Sequence, residues 1–300
     1  MIKSEMKTKI KKIHMVALYL GVAFFLSSCQ EETAWTFLLD KDMSQWEMYL
    51  GYKLTTDYNG EKPTDEDGVA IEPIGYNNNV NNVFTVIEED GEPVLKISGE
   101  IYGCVYTKQE FENYHLKMKV KWGDKKWPPR LDKLRDSGVM YHSIGDCGID
   151  YWRAWMLSQE LQIMEGHMGD FWSIENSVMD IRALLPEDIM NPVANEKQPF
   201  IPIGGMTKNN GFCLRSADYE SPKGESTEVE LICYGDKSIH IVNGHVVMVL
   251  QNSRYMMDGQ TIPLTKGKIQ IQSEAAEVYY KDIVIRSIDS LPEAYKSFFD

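Results

Sequence analysis

Three acidic side chains and an imidazole crowd into ELQIMEGHMGDFW, Glu160 to Trp172. Carboxylates and imidazoles move protons near neutral pH, and a planar amide such as Gln162 holds a hydroxyl in two-pronged hydrogen bonds. Polar groups recur with a period of two elsewhere. Asp136, Gly138, Met140 and His142 alternate in RDSGVMYHSIG, His240 stands in KSIHIV, and Gln270 and Gln272 stand in KIQIQS. If these faces belong to one sheet, they line a groove of carboxylates, amides and imidazoles with aromatics nearby. That mixture suits a sugar, with amides for hydroxyls, rings for pyranose faces and acid–base groups for proton transfer. His142, Glu160 and Glu165 are the candidate catalytic residues. Gln162, His167, His240 and Gln272 are the candidate substrate-binding residues.

Each has a plainer reading. His142 beside Tyr141 also fits a structural imidazole, His167 beside Gly166 a loop histidine, and Glu165 and Asp170 solvated turn charges. His115 and His245 alternate onto faces expected to meet solvent. No cofactor is demanded by the sequence. A divalent ion among His142, Glu160, Glu165 and His167 is chemically open, because imidazole with carboxylate suits several metals, but their spacing matches no metal motif.

The elements that must position these groups read as strands. Leu161, Met164, Met168 and Trp172 recur at helical spacing, yet Gly166 and Gly169 would each cost a helix interior about 1 kcal/mol. As a strand, Glu160, Gln162 and Met164 share one face and Leu161 and Ile163 the other, followed by a glycine-bounded loop carrying His167 and Asp170. Val94 to Trp122 alternates in two runs that break near Glu110 to Asn113. Thr227 to Leu250 alternates around Gly235-Asp236 and Asn243-Gly244, and the second of these is a strong hairpin signal. Gly267 to Ile288 reads as a closing hairpin. The expected class is all-β, two packed antiparallel sheets. Residues 51–82 and 186–210 read as inserted loops forming functional rims, Trp122 to Ser137 as a basic, Pro-broken connection, and Leu291 to Asp300 as a short helical end.

The chain opens MIKSEMKTKIKKIH and continues MVALYLGVAFF, an apolar run too short to span a bilayer as a mature helix. It ends in LSSC, which looks like a bacterial lipobox, so residues 1–28 read as an export signal, Cys29 as the lipidated residue and 29–34 as a tether. Gln30 rather than aspartate follows, which favours the outer membrane of a bacterial cell envelope. Cleavage removes five lysines and Glu5 and takes the net charge from −14 to −18. That acidity argues against nucleic acid, and the membrane is met only through lipid. Residues 35–300 are expected to form one domain. Cys104, Cys147, Cys213 and Cys233 remain in a compartment that permits disulfides, with no spacing that selects a pairing.

RDSGVMYH, ELQIMEGHMGDFW, RSADYESPKGESTEVEL, IHIVNGHVV and PLTKGKIQIQSEAAEVYYKDIVIR, in that order, resemble the 3-keto-disaccharide hydrolase family, as does the opening FLLDKDMSQWEMY. The likeness spans residues 35–290 and takes in WGDKKWPPR. It implies a concanavalin-like jelly-roll sandwich, a carbohydrate substrate, and cleavage of glycosides already oxidised to a ketone at C3. Such a ketone acidifies the C2 proton, so a base can remove it and the enolate expels the C1 substituent. Water added afterwards gives net hydrolysis. The resemblance makes His142 and Glu160 the candidates for base and acid, without assigning which is which, with Glu165 or His167 completing the set and Gln162 and Gln272 orienting hydroxyls. Ser226 and Thr227 stand where many relatives carry asparagine and tryptophan. ELQIME also resembles the Glu-x-Asp-x-x-Glu strand of retaining β-glucanases, with Gln162 in place of the aspartate. A non-catalytic glycan-binding lipoprotein fits the same fold.

Overall fold

Alternation of apolar and polar residues folds the chain into two sheets packed face to face, the jelly-roll sandwich expected. The computed structural model describes residues 34–149, 154–205, 207–209 and 211–300. The export signal, Cys29 and nearly all of the tether lie outside the described residues. Among the described residues one sheet has twelve strands and the other eight.

The eight-stranded sheet runs in the order Phe212–Cys213, Phe171–Ile174, Leu157–Met164, Asp136–Ile144, Lys268–Ser273, Gly103–Thr107, Trp46–Leu50 and Gly75–Tyr76. Its inner face presents Val139, Tyr141, Leu161, Ile163, Ile269 and Ile271 to Leu116, Val229, Leu231, Val278 and Tyr280 of the larger sheet. Each fully buried aliphatic side chain there contributes roughly 1.5–3 kcal/mol. Ser137 Oγ lies 2.7 Å from Tyr280 Oη and donates to Gln272 O at 2.9 Å, fastening the layers beneath the outer face. Because side chains alternate, residues 136, 138, 140, 160, 162, 270 and 272 point outward together.

The stretch 160–172 is a strand, Leu157–Met164, turning back into Phe171–Ile174, as the two glycines require. Asn243 (φ 47°) and Gly244 (φ 76°) make the hairpin turn between Lys237–Val242 and His245–Met257. Both central residues sit at positive φ, which is why Asn-Gly serves there.

Two expectations are corrected. Residues 267–288 are not a hairpin: Lys268–Ser273 belongs to the eight-stranded sheet and Ala276–Ser287 to the twelve-stranded one. The chain crosses between layers at Ala275, whose φ is 57°. Residues 186–210 are not chiefly a rim, since Val193–Ala194 and Phe200–Gly204 pair with Ser177–Leu184 and extend the larger sheet. Residues 51–82 do edge the outer face, where Gly51, Tyr52, Lys62, Glu72 and Pro73 help to line a cleft of about 290 Å³ with Tyr49.

The C-terminal segment, with a helix Glu293–Lys296 and a 3-10 turn Ser297–Phe299, lies on the outer face of the larger sheet. Leu291, Tyr295 and Phe299 cover Ile232, Ile239 and Ile241. Arg182 clasps it by donating from Nε to Phe298 O at 2.9 Å.

Candidate functional site

Strand register assembles the site on the outer face of the eight-stranded sheet. Gly138 pairs with Gln162 on one side, and Val139 pairs with Ile271 on the other, which sets Gln272 beside Gly138. One row therefore reads Gln162, Gly138, Gln272. The next reads Glu160, Met140, Gln270, since Met140 pairs with both Glu160 and Gln270. Gly138 is the floor under these side chains: a Cβ there would run into the Glu160 carboxylate and lie 2.7 Å from Gln272 Oε1. Its φ is not in the left-handed region, so the glycine serves the close approach of these side chains rather than a strained backbone. Gly138→Ala is accordingly expected to keep the fold while raising KM for a cleaved substrate by roughly tenfold or more. An unchanged KM would show that nothing binds over Gly138.

The groups around this floor are nearly out of water: Glu160 is 3 % exposed, Gln162 5 %, Gln272 1 % and Asp136 4 %. Gln162 Oε1, Gln272 Oε1, Asp136 Oδ1, Gln270 Nε2, Trp155 Nε1 and Arg130 Nε have no hydrogen-bond partner among the described residues. A buried polar atom without a partner costs roughly 1–3 kcal/mol, so a polar ligand that paired with these six would recover part of that cost. Beyond these groups, an apolar set including Tyr49, Tyr102, Cys104, Tyr106, Met156 and Trp155 covers the remainder of the face. Tyr102 and Trp155 stack at 6.4 Å. Cys104 and Cys147 meet there at 3.8 Å, both as free thiols.

One end of this face is electrostatically loaded. Arg130 Nη2 reaches Asp136 at 2.6 Å and Nη1 reaches Glu274 at 3.3 Å, so one guanidinium serves two buried carboxyls. Burial pushes the Asp136 carboxyl well up, Glu274 and Glu160 push the same way, and Arg130 opposes them. Burial likewise raises Glu274 against Arg130. A single positive charge balances a single carboxylate, so this pair tends to retain a proton.

The other edge of the row carries His167. Gln162 N donates to Asp170 O at 3.0 Å, continuing the row past Gln162. Asp170 Oδ2 lies 3.0 Å from His167 Nδ1, and Asp170 Oδ1 accepts from the Arg215 backbone at 2.7 Å and its guanidinium at 3.2 Å. Burial raises the Asp170 carboxyl while these partners pull it down. A carboxylate on Nδ1 fixes the ring orientation.

The structure thus brings Glu160, Gln162 and Gln272 together, with His167 at the edge, and separates the rest. His142 is corrected first. The pairing slips between Tyr141 and Ile144, and His142 adopts φ 52°, so the extra residue turns its ring away from Glu160. It packs edge-on against Tyr114 and Tyr141 with 1 % exposure. His240 is corrected likewise. It belongs to the larger sheet and lies between the layers, 3.1 Å from Tyr141 Oη and 3.1 Å from Gly169 O. Burial pushes both imidazoles down to about 4. Glu165 is tied at the strand end to Arg135, whose Nη1 reaches its two oxygens at 3.1 and 3.0 Å. The four residues weighed for a divalent ion therefore do not converge, and no other such group of His, Cys, Asp or Glu occurs among the described residues. His115 is buried rather than solvated, 2.7 Å from Glu230.

Three functional candidates, Glu274, Asp136 and Arg130, escaped the sequence reading, as did the position of Trp172. Glu274 continues the period of Gln270 and Gln272, so its position was available in the pattern. Asp136 was placed on the right face without a role. Arg130 follows a Pro-Pro pair whose path no periodicity foretells. Trp172 pairs with Glu160, which only the hairpin register discloses.

Residues 34–286 match the family model of the 3-keto-alpha-glucoside-1,2-lyase-like domain. Similar solved structures include two described as putative glycosyl hydrolases from Parabacteroides distasonis ATCC 8503. One is 16% identical, covering 85% of this chain and 94% of that one with a TM-score of 0.47. The other is 19% identical, covering 85% and 100% with a TM-score of 0.43. A Bacillus licheniformis β-glucanase is 9% identical over 86% and 99% of the two chains, with a TM-score of 0.38. Comparison with curated proteins finds no match.

Proposed function

The chain belongs to the family of the 3-keto-alpha-glucoside-1,2-lyase-like domain, a carbohydrate-active family, and from that premise we propose that the polar face over Gly138 cleaves glycosides oxidised at C3. What carries the reading is the convergence of the Glu160 carboxylate with the Gln162 and Gln272 amides over a glycine floor, beside a carboxyl pair that shares one arginine.

In this proposal Glu160 removes the proton from C2 of the keto sugar, and the electron pair moves into a C2–C3 enolate. Arg130 provides positive charge for the developing enolate oxygen. The enolate re-forms the ketone and expels the C1 substituent, leaving a C1–C2 double bond. The departing oxygen takes the proton retained by Asp136 and Glu274, a carboxyl kept neutral by its surroundings. Water then adds at C1, its proton returning to the carboxyls, and Glu160 gives the proton it took back to C2, which restores the ketone and the starting state of the site. Gln162 and Gln272 orient the sugar hydroxyls. A retaining-glucanase route needs a second carboxylate about 5 Å from the first, and the Glu165 of ELQIME is held instead by Arg135.

Incubation of the purified protein with a disaccharide and its 3-keto derivative is expected to release free sugar from the oxidised substrate alone, with exchange of the C2 hydrogen for deuterium in heavy water. Cleavage of plain β-glucan would replace this reading by direct hydrolysis, and saturable binding without turnover by a glycan-binding role.

A further inference from the structure

Trp172 is out of keeping with its neighbours. It stands directly across from Glu160 in the hairpin and so shares the outer face, yet it is 39 % exposed where Glu160 and Gln162 are at most 5 %. Phe212, its partner on the next strand outward, holds its ring 4.5 Å away at an interplanar angle of 42°. A lone exposed tryptophan needs no explanation. This one borders a face whose adjoining strands carry the buried, partnerless Oε1 atoms of Gln162 and Gln272. From its strand through that of Glu160 to that of Gly138 is two strand spacings, about 10 Å, comparable to two linked six-membered rings. Glu160 stands between the two halves, and its carboxylate leans toward the Gly138 side.

We propose that Trp172 and Phe212 form a second subsite that receives the leaving group, by packing the apolar face of a six-membered ring, from a pyranose or an aryl aglycone, against the indole. The polar face then holds the oxidised sugar, and the scissile bond straddles Glu160. The assignment of leaving group rests on the function proposed above, whereas the ring-binding platform does not. The indole supplies area and a flat face, and the neighbouring strand supplies hydrogen bonds, so substrates with a ringed aglycone gain affinity that a methyl glycoside lacks.

The test compares three 3-keto glucosides that differ only in aglycone: methyl, phenyl and glucosyl. Trp172→Ala is expected to raise KM for the phenyl and glucosyl substrates about tenfold, with Trp172→Phe restoring most of it, and to leave the methyl substrate within about twofold. The larger shift of the two identifies which ring the platform prefers. Equal losses on all three substrates, or no loss on any, would overturn the subsite. If the wild-type protein turns over no keto sugar, the proposed reaction fails separately. The subsite is then read by titration calorimetry with unoxidised phenyl and methyl β-glucosides. Saturable binding of the phenyl compound that Trp172→Ala abolishes supports it, and equal or absent binding of both overturns it.

Discussion

Glu160→Gln is expected to lower kcat on a 3-keto glycoside by about 10²–10⁴-fold, the range that removal of a positioned acid–base group produces. The amide keeps the shape of the side chain, so KM should move far less than kcat. Stability should be retained, because the change takes one negative charge from a neighbourhood where Asp136 and Glu274 already share a single arginine. A further signature follows from the same geometry. The Glu160 charge helps to raise the Asp136 carboxyl, so its loss should let Asp136 ionise at lower pH. Steady-state kinetics with a parallel thermal melt checks both halves. An unchanged kcat in a folded variant removes Glu160 from the chemistry.

Acid should weaken the fold through its two interior imidazoles. Burial holds His142 and His240 down at about 4, below the ordinary 6.5, so between those values the unfolded chain binds protons that the folded one refuses. Stability is then fully present above pH 6.5 and is lost as pH falls toward 4. Each histidine accounts for about 3 kcal/mol over that interval. Asp136 and Glu274 work in the opposite sense, because a carboxyl raised by folding takes up its proton in the native state first, and acidification through that window stabilises. A variant therefore isolates the imidazole contribution. Urea unfolding at pH 7.0, 5.5 and 4.5 is expected to show a steep fall for the wild type and a fall about 2 kcal/mol shallower for His142→Phe. Parallel pH profiles would mean that His142 titrates normally in the folded protein.

The way these histidines entered and left the site shows where reading the sequence succeeds. Alternation at Leu161 and Ile163, the cost of Gly166 and Gly169 in a helix, and the Asn243-Gly244 turn are local signals, and each produced the element expected of it. The same alternation carried His142 onto the face of Gly138 because a period of two assumes an unbroken strand. One extra residue at the Tyr141–Ile144 irregularity reverses every side chain after it, and nothing in YHSI announces the slip. His240 failed for a different reason. Its alternation was sound, but which sheet a strand joins is decided by partners far along the chain. The segment 267–288 shows the same ambiguity, since a strand that crosses to the other layer alternates no differently from one that returns beside its neighbour. Glu160, Gln162 and Gln272 share the face that a period of two predicts because their strands pair without interruption at those positions. Arg130 and Trp172 depended on the path of a loop and on a hairpin register.

The clasp of the carboxyl-terminal segment by Arg182 also bears on how the molecule can be handled. That segment seals the isoleucines on the back of the larger sheet, the side facing away from the site. Attachment to a solid support through the back should leave ligand access unshaded. An affinity handle fused after Asp300 would instead begin beside the guanidinium that fastens the segment, where its drag would lift the seal.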